Sequence, residues 1–140
     1  MITKADKNTP LLNQDQIYSD FLINLNPHPV SKDIVKFINE RAVARSIRNL
    51  LSTNRGERLY QPNIGGDLSN LLFEPMTDGM STTIYNLIYN TIDQYEPRAK
   101  ILKMAVIPNY DRNLYDVTMS FMIINSQEPF TLNIALDRAR

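Results

Sequence analysis

From Phe130 to Leu136 large apolar residues alternate with small or polar ones: Phe130, Leu132, Ile134 and Leu136 against Thr131, Asn133 and Ala135. A period of two is the mark of a strand that buries one face. The same pattern runs from Leu114 to Ile124, where Tyr115, Val117, Met119, Phe121 and Ile123 share a side. It recurs from Ala99 to Pro108, with Leu102, Met104 and Val106 set against Ile101, Lys103 and Ala105. The intervening Asn109-Tyr110-Asp111-Arg112-Asn113 and Asn125-Ser126-Gln127 are turn chemistry, so the three segments read as an antiparallel meander.

Upstream the period lengthens. Val43, Ile47, Leu50 and Leu51 fall on one face of a helix running from Glu40 to about Thr53, with Asn39 as its N-cap. Arg41, Arg45 and Arg48 share the opposite face. Asn54-Arg55-Gly56 ends the helix, Gly56 being free to turn left-handed. A loop without period follows, from Glu57 to Gly66. Asp67 then caps a short helix, Leu68 to Phe73, which Glu74-Pro75 halts. Ser81 caps a longer one to about Gln94, striped by Ile84, Leu87, Ile88 and Ile92 and widened by Tyr85, Tyr89 and Tyr95.

Nearer the start, Ile17 to Leu25 reads as a short strand or a packed extended segment. Asn26-Pro27-His28-Pro29 is a loop. Asp33 to Ile38 reads as a second short strand or the lead-in to the helix, with strand favoured. Residues 1–16 are polar and without period, an arm of the kind that orders against a partner. The expected class is α+β. Helices in the first two-thirds pack on a C-terminal three-stranded antiparallel meander, with a short N-terminal strand, and residues 17–140 form a single domain.

Composition narrows the chemistry. A chain of 140 residues, 43% hydrophobic, is one domain's worth with enough apolar mass for a core. Fifteen basic residues balance fifteen acidic ones, which argues against bulk capture of nucleic acid or an anionic membrane. There is no cysteine, so disulfides, thiolate–zinc sites and thiol nucleophiles are excluded. The single histidine, His28, leaves no basis for a His-rich metal site. Phe121-Met122-Ile123-Ile124, the longest run of large apolar residues, falls far short of the ~20 that span a bilayer. The N-terminus lacks the apolar stretch of a signal peptide. We expect no catalytic residue, cofactor or metal, and neither nucleic acid nor membrane as a partner.

Three constellations remain. Glu40, Glu57, Glu74 and Glu96 are carboxylates that a glycosidase could use in pairs, yet no local spacing pairs them. The arginines of the first long helix, extended by Arg55 and Arg58, read as a solvated face or as a docking surface for an acidic partner. Tyr95-Glu96-Pro97-Arg98 stands between helix and strand. On the surface its ion pair is worth under ~1 kcal/mol, whereas at a buried junction the loss of one charge strands the other.

These residues also carry a resemblance. Gly56-Glu57-Arg58, Pro62-Asn63-Ile64-Gly65, Leu71-Leu72-Phe73-Glu74-Pro75 and Glu96-Pro97-Arg98 follow one another as in the baseplate wedge, or sheath-initiator, family of contractile-tailed phages. That family is shared with the type VI secretion baseplate, and Ile107-Pro108-Asn109-Tyr110-Asp111 resembles its phage branch. The motifs lie between about Asn39 and Ile124; Ile64 departs from the pattern, which usually has an aromatic residue before the glycine. The resemblance implies a non-enzymatic structural adaptor, assembled in the host cytoplasm and resident in the virion tail. It implies that Glu96, Pro97 and Arg98 dock on a helical bundle of neighbouring wedge subunits, with Gly56, Glu57 and Arg58 supporting that end. It further implies that the sheet templates the tail sheath protein by strand addition.

The residues themselves fit this use. Phe130 to Leu136 (Phe130, Thr131, Leu132, Asn133, Ile134, Ala135, Leu136) carries neither charge nor proline, the devices that usually blunt an exposed edge. The strand order stays open at this level: the segment could equally be central or covered by the arm. Two expectations follow. Arg98→Ala should spare the fold and weaken wedge incorporation, and proline at Leu132 or Asn133 should block sheath growth. The rival reading is a cell-wall hydrolase, since relatives of this family have been called lysozyme-like, and a third is a regulatory adaptor of similar fold.

Overall fold

The computed structural model describes residues 17–21, 27, 29–30, 32–124 and 128–138. The expected arm, much of the loop around His28 and the turn at 125–127 lie outside them. The chain divides into two compact units, one to Ala42 and one from Val43.

In the first unit β1 (Ser19–Phe21) pairs antiparallel with β2 (Lys36–Ile38), Ser19 opposite Ile38 and Phe21 opposite Lys36. An isolated bridge joins Pro27 to Ile34. Asn39 accepts the N–H groups of Ile17 and Tyr18 on its side-chain oxygen, at 3.2 and 3.4 Å. Its φ of 47° is left-handed, away from the extended backbone that an N-cap usually takes. The expected cap therefore serves to close the small hairpin.

The second unit carries most of α1 (Glu40–Ser52), then α2 (Leu68–Leu72), α3 (Asp78–Tyr95), β3 (Ala99–Asn109), β4 (Leu114–Ile123) and β5 (Phe130–Asp137). The class is α+β, with the three strands in the order β3-β4-β5, all antiparallel. The core draws Val43, Ile47, Leu50 and Leu51 from α1, Ile84, Ile88 and Ile92 from α3, and Tyr115, Val117, Met119, Phe121 and Ile123 from β4. Each set falls on the face its period predicts. Burying a side chain of this size contributes about 1.5–3 kcal/mol. Among the described residues no helix is long and apolar enough to cross a membrane.

Local details correct the sequence reading. Helix α3 begins at Asp78, because Thr77 is extended (φ −138°, ψ 160°) and its hydroxyl accepts the Met80 N–H at 3.2 Å. Ser81 thus lies inside the first turn. Asp67 makes no cap bond to α2; it is left-handed at φ 50° and accepts from the Asn70 side-chain amide at 2.9 Å. Tyr89 is exposed and stacks on Tyr85, so buried Thr91 joins the α3 stripe in its place.

In β3 the register shifts between Ile101 and Lys103. Leu102 is the extra residue and stands 51% exposed. Ile101 pairs with Phe121 and Met104 with Met119, so both face the core across the bulge. The expected grouping of Leu102 with Met104 and Val106 holds only beyond it.

Candidate functional site

Two places gather the residues singled out by the sequence. The first is the junction of α3 and β3. A last helical bond runs from the Glu96 N–H to the Ile92 carbonyl at 2.8 Å; Pro97 then forbids the next turn. Glu96 leaves the helical region (φ −128°, ψ 67°), as a residue before proline should. The Ala99 N–H closes a turn onto the Glu96 carbonyl at 3.0 Å, and the Arg98 carbonyl accepts from Ile124 at 3.0 Å, beginning the β3–β4 ladder.

This tight reversal places the two charged side chains together. Arg98 Nε donates to Glu96 Oε1 at 2.5 Å and Arg98 Nη2 to Glu96 Oε2 at 2.7 Å, a bidentate fork. Ser46 of α1 closes the triangle: its hydroxyl donates to Glu96 Oε2 and accepts from Arg98 Nη2 at 3.2 Å. Glu96 is 3% exposed, but the Arg98 side chain is 37% exposed. The carboxylate is thus internal, and the arginine is the member that a second molecule can reach. Ser46 escaped the sequence reading, although a signal existed. It is a polar residue one position before Ile47, within the apolar stripe of α1.

The Gly56-Glu57-Arg58 turn lies in a loop folded back on the end of α1. The Gly56 N–H reaches the Pro62 carbonyl at 2.8 Å, and the Gly66 N–H reaches the Thr53 carbonyl at 3.1 Å. Glu57 is a structural residue here, its Oε2 accepting the Asn54 N–H at 2.9 Å. The Tyr95 hydroxyl donates to the Asn63 carbonyl at 2.7 Å, tying this loop to the residue before Glu96. At the tip Leu59 and Tyr60 are 92% and 97% exposed, with Arg58 exposed beside them. The sequence reading passed over this pair because the loop has no period.

The second place is β5. It closes the sheet on one side, with no further strand beyond it among the described residues. Its hydrogen-bonding parity follows from its far end, where the Arg138 N–H bonds the Asn113 carbonyl at 3.2 Å. Counting back along the register, Leu136, Ile134, Leu132 and Phe130 bond to β4. Thr131, Asn133, Ala135 and Asp137 then turn their N–H and C=O groups away from the sheet. At one of these, Arg48 Nη2 of α1 donates to the Asn133 carbonyl at 3.4 Å. An open groove of about 360 Å³ runs between α1 and this edge, lined by Arg48, Leu51, Ser52 and Asn133 to Leu136. Arg41 and Arg48 are exposed and Arg45 is half-buried, so part of the arginine face of α1 is open to solvent.

Glu96 has both oxygens engaged and Glu57 holds a backbone N–H, while Glu74 stands exposed. No group of three or more His, Cys, Asp or Glu able to hold a metal occurs among the described residues. One buried phenol stands out. Tyr115 is fully buried, and that burial pushes its hydroxyl above the usual tyrosine range.

Comparison with known proteins is consistent along the chain. The family model for baseplate wedge protein gp25 matches residues 39–128. Baseplate wedge protein gp25 of Enterobacteria phage T4 is 31% identical over 121 residues, which is 84% of this chain and 89% of that one. Two solved structures share the fold. One, from Geobacter sulfurreducens and named for a tail lysozyme, has a TM-score of 0.65 at 22% identity, over 70% of this chain and 89% of its own. The other belongs to the anti-feeding prophage baseplate, with a TM-score of 0.60 at 20% identity, over 88% of this chain and 87% of its own. The matched residues run from the start of α1 through the pinned loop, the Glu96 junction and β4, and the chain belongs to the baseplate wedge protein gp25 family.

Proposed function

We propose that this chain is a non-enzymatic component of a contractile-tail baseplate wedge that templates sheath polymerisation by strand addition at β5. It works in the virion tail after assembly in the host cytoplasm. Its partners are neighbouring wedge subunits and the tail sheath protein, with no nucleic acid, membrane or cofactor involved. The observation that carries this reading is the open edge of β5, where four successive outward residues turn backbone donors and acceptors away from the sheet, the Asn133 carbonyl meeting only a long bond from Arg48. An incoming extended segment would bond Thr131, Asn133, Ala135 and Asp137 and set its own side chains alternately above and below the sheet.

The wedge contact is assigned to the other place. Arg98 is held by Glu96 and Ser46 with more than a third of its side chain exposed, so the solvent-facing side of its guanidinium is fixed in orientation toward a helical bundle. Pro97 is exposed beside it. Gly56, Glu57 and Arg58 frame a pinned loop that presents Leu59 and Tyr60 to solvent as apolar residues for that contact.

The geometry changes the mutations that test this. Arg98→Ala is not a neutral probe, because it strands a buried carboxylate. Solvent reaches the arginine, which brings the cost down to about 1–3 kcal/mol. Arg98→Lys keeps a positive charge beside Glu96 but loses the fork, and we expect a folded protein that enters wedges poorly. Normal incorporation would remove Arg98 from the docking role. Likewise the Leu132 N–H belongs to the β4 ladder, so proline there damages the sheet, whereas the Asn133 N–H faces outward. Particles assembled with folded Asn133→Pro should show baseplates and tubes without sheath by electron microscopy. Normal sheath would end the strand-addition reading. The hydrolase alternative predicts muropeptide release from peptidoglycan, whereas both oxygens of the buried Glu96 are engaged by Arg98 and Ser46.

A further inference from the structure

The free edge of β5 raises a question that its sequence does not answer: what stops two copies of this chain from pairing through it? The outward residues Thr131, Asn133 and Ala135 carry no charge, and no proline follows Pro129 in the strand. Two-fold antiparallel pairing centred on Asn133 would set Asn133 opposite itself, Thr131 opposite Ala135 and Asp137 opposite Pro129. No like charges within the strand oppose that arrangement. Such an edge is a template for self-association.

We propose that Arg48 is the specificity residue of this edge, excluding a second copy of the chain. Its Nη2 already occupies the Asn133 carbonyl, the acceptor at the centre of the two-fold pairing. A second copy arriving there would bring its own Arg48 to the same axis. Two guanidiniums would then meet head to head while both central carbonyls were already bonded. At 3.4 Å on an exposed side chain the contact is long, and so displaceable. A foreign strand without a cation at that position meets only the displaceable bond; a copy of this chain meets the bond and the repulsion. The guard is supplied by α1 rather than by the strand, so the strand itself stays bare for its partner.

This inference rests on the open edge and does not require that the partner be sheath. The test is sedimentation velocity of the full-length protein across a concentration series, in low and moderate salt. The parent chain should remain monomeric, while Arg48→Ala, folded by circular dichroism, should dimerise with an association constant at least tenfold higher. Adding Asn133→Pro to that variant should return it to monomer, because it removes the central outward N–H. Arg48→Gln, which removes the charge and keeps a helix-compatible side chain, serves if the alanine variant does not fold. A monomeric Arg48→Ala, or a dimer that survives Asn133→Pro, overturns the assignment. Neither result depends on sheath initiation by Asn133→Pro alone, so failure here is distinguishable from failure of the strand-addition reading.

Discussion

Gly56 and Gly65 stand in one loop and both have positive φ, 84° and 145°, but for different physical reasons. A Cβ on Gly56 would meet nothing within 4 Å. One on Gly65 would lie 2.5 Å from the Thr53 carbonyl oxygen and 2.8 Å from the Asn54 carbonyl carbon. The first glycine is needed only for its dihedral and the second also for the space. Gly56→Ala should therefore cost about 1–2 kcal/mol and Gly65→Ala about 2–4 kcal/mol, measured by urea denaturation. At this scale the sequence is informative about residue type and silent about contact. Glycine, proline and the Glu96/Arg98 pair mark their places, but that Glu96 is buried against Ser46 depends on a helix fifty residues away.

The elements were legible where a period ran unbroken. Strands β4 and β5 and the buried face of α1 emerge from apolar spacing alone, because each buries one side against the rest of the unit. Boundaries were less so. Thr77-Asp78-Gly79 opens α3 directly after a proline-containing turn, and glycine in a first turn disguises a helix start. If the Thr77 hydroxyl is the cap, Thr77→Ala should lose about 1 kcal/mol, whereas Ser81→Ala should change thermal stability little. Equal losses would return the cap to Ser81. The bulge at Leu102 was hidden for a deeper reason. It is a property of the pairing between β3 and β4, and no local pattern in β3 records it. Strand order belongs to the same class of information, as does the reach of Arg48 to a carbonyl 85 residues along the chain.

The molecule as a whole also has a pH limit built into its core. Tyr115 is fully buried, and that burial raises its pKa above the ordinary value, an effect that Arg138 and the Thr77 backbone only partly offset. The neutral phenol is the form the fold accepts. Its contribution is thus fully present below the unfolded value near pH 10 and is lost as pH rises through the higher folded one. Urea midpoints compared at about pH 8 and pH 11 should fall further for the parent than for Tyr115→Phe. At about pH 8 that variant should lose no more than about 1 kcal/mol, the net worth of a single hydrogen bond. An identical alkaline slope in both proteins would place the sensitivity elsewhere.

The turn from α3 into β3 has a mechanical side. A pull on the Arg98 guanidinium passes through two parallel bonds into Glu96, and through Ser46 into α1. Its main chain meanwhile hands tension to β4 through the Ile124 bond and to α3 through the single proline. Force applied at that one side chain is divided among two helices and a sheet, so no single non-covalent bond carries it alone. For a part fixed in a tail that shortens abruptly, such a junction would yield as a unit, and only at a tension that parts several bonds at once.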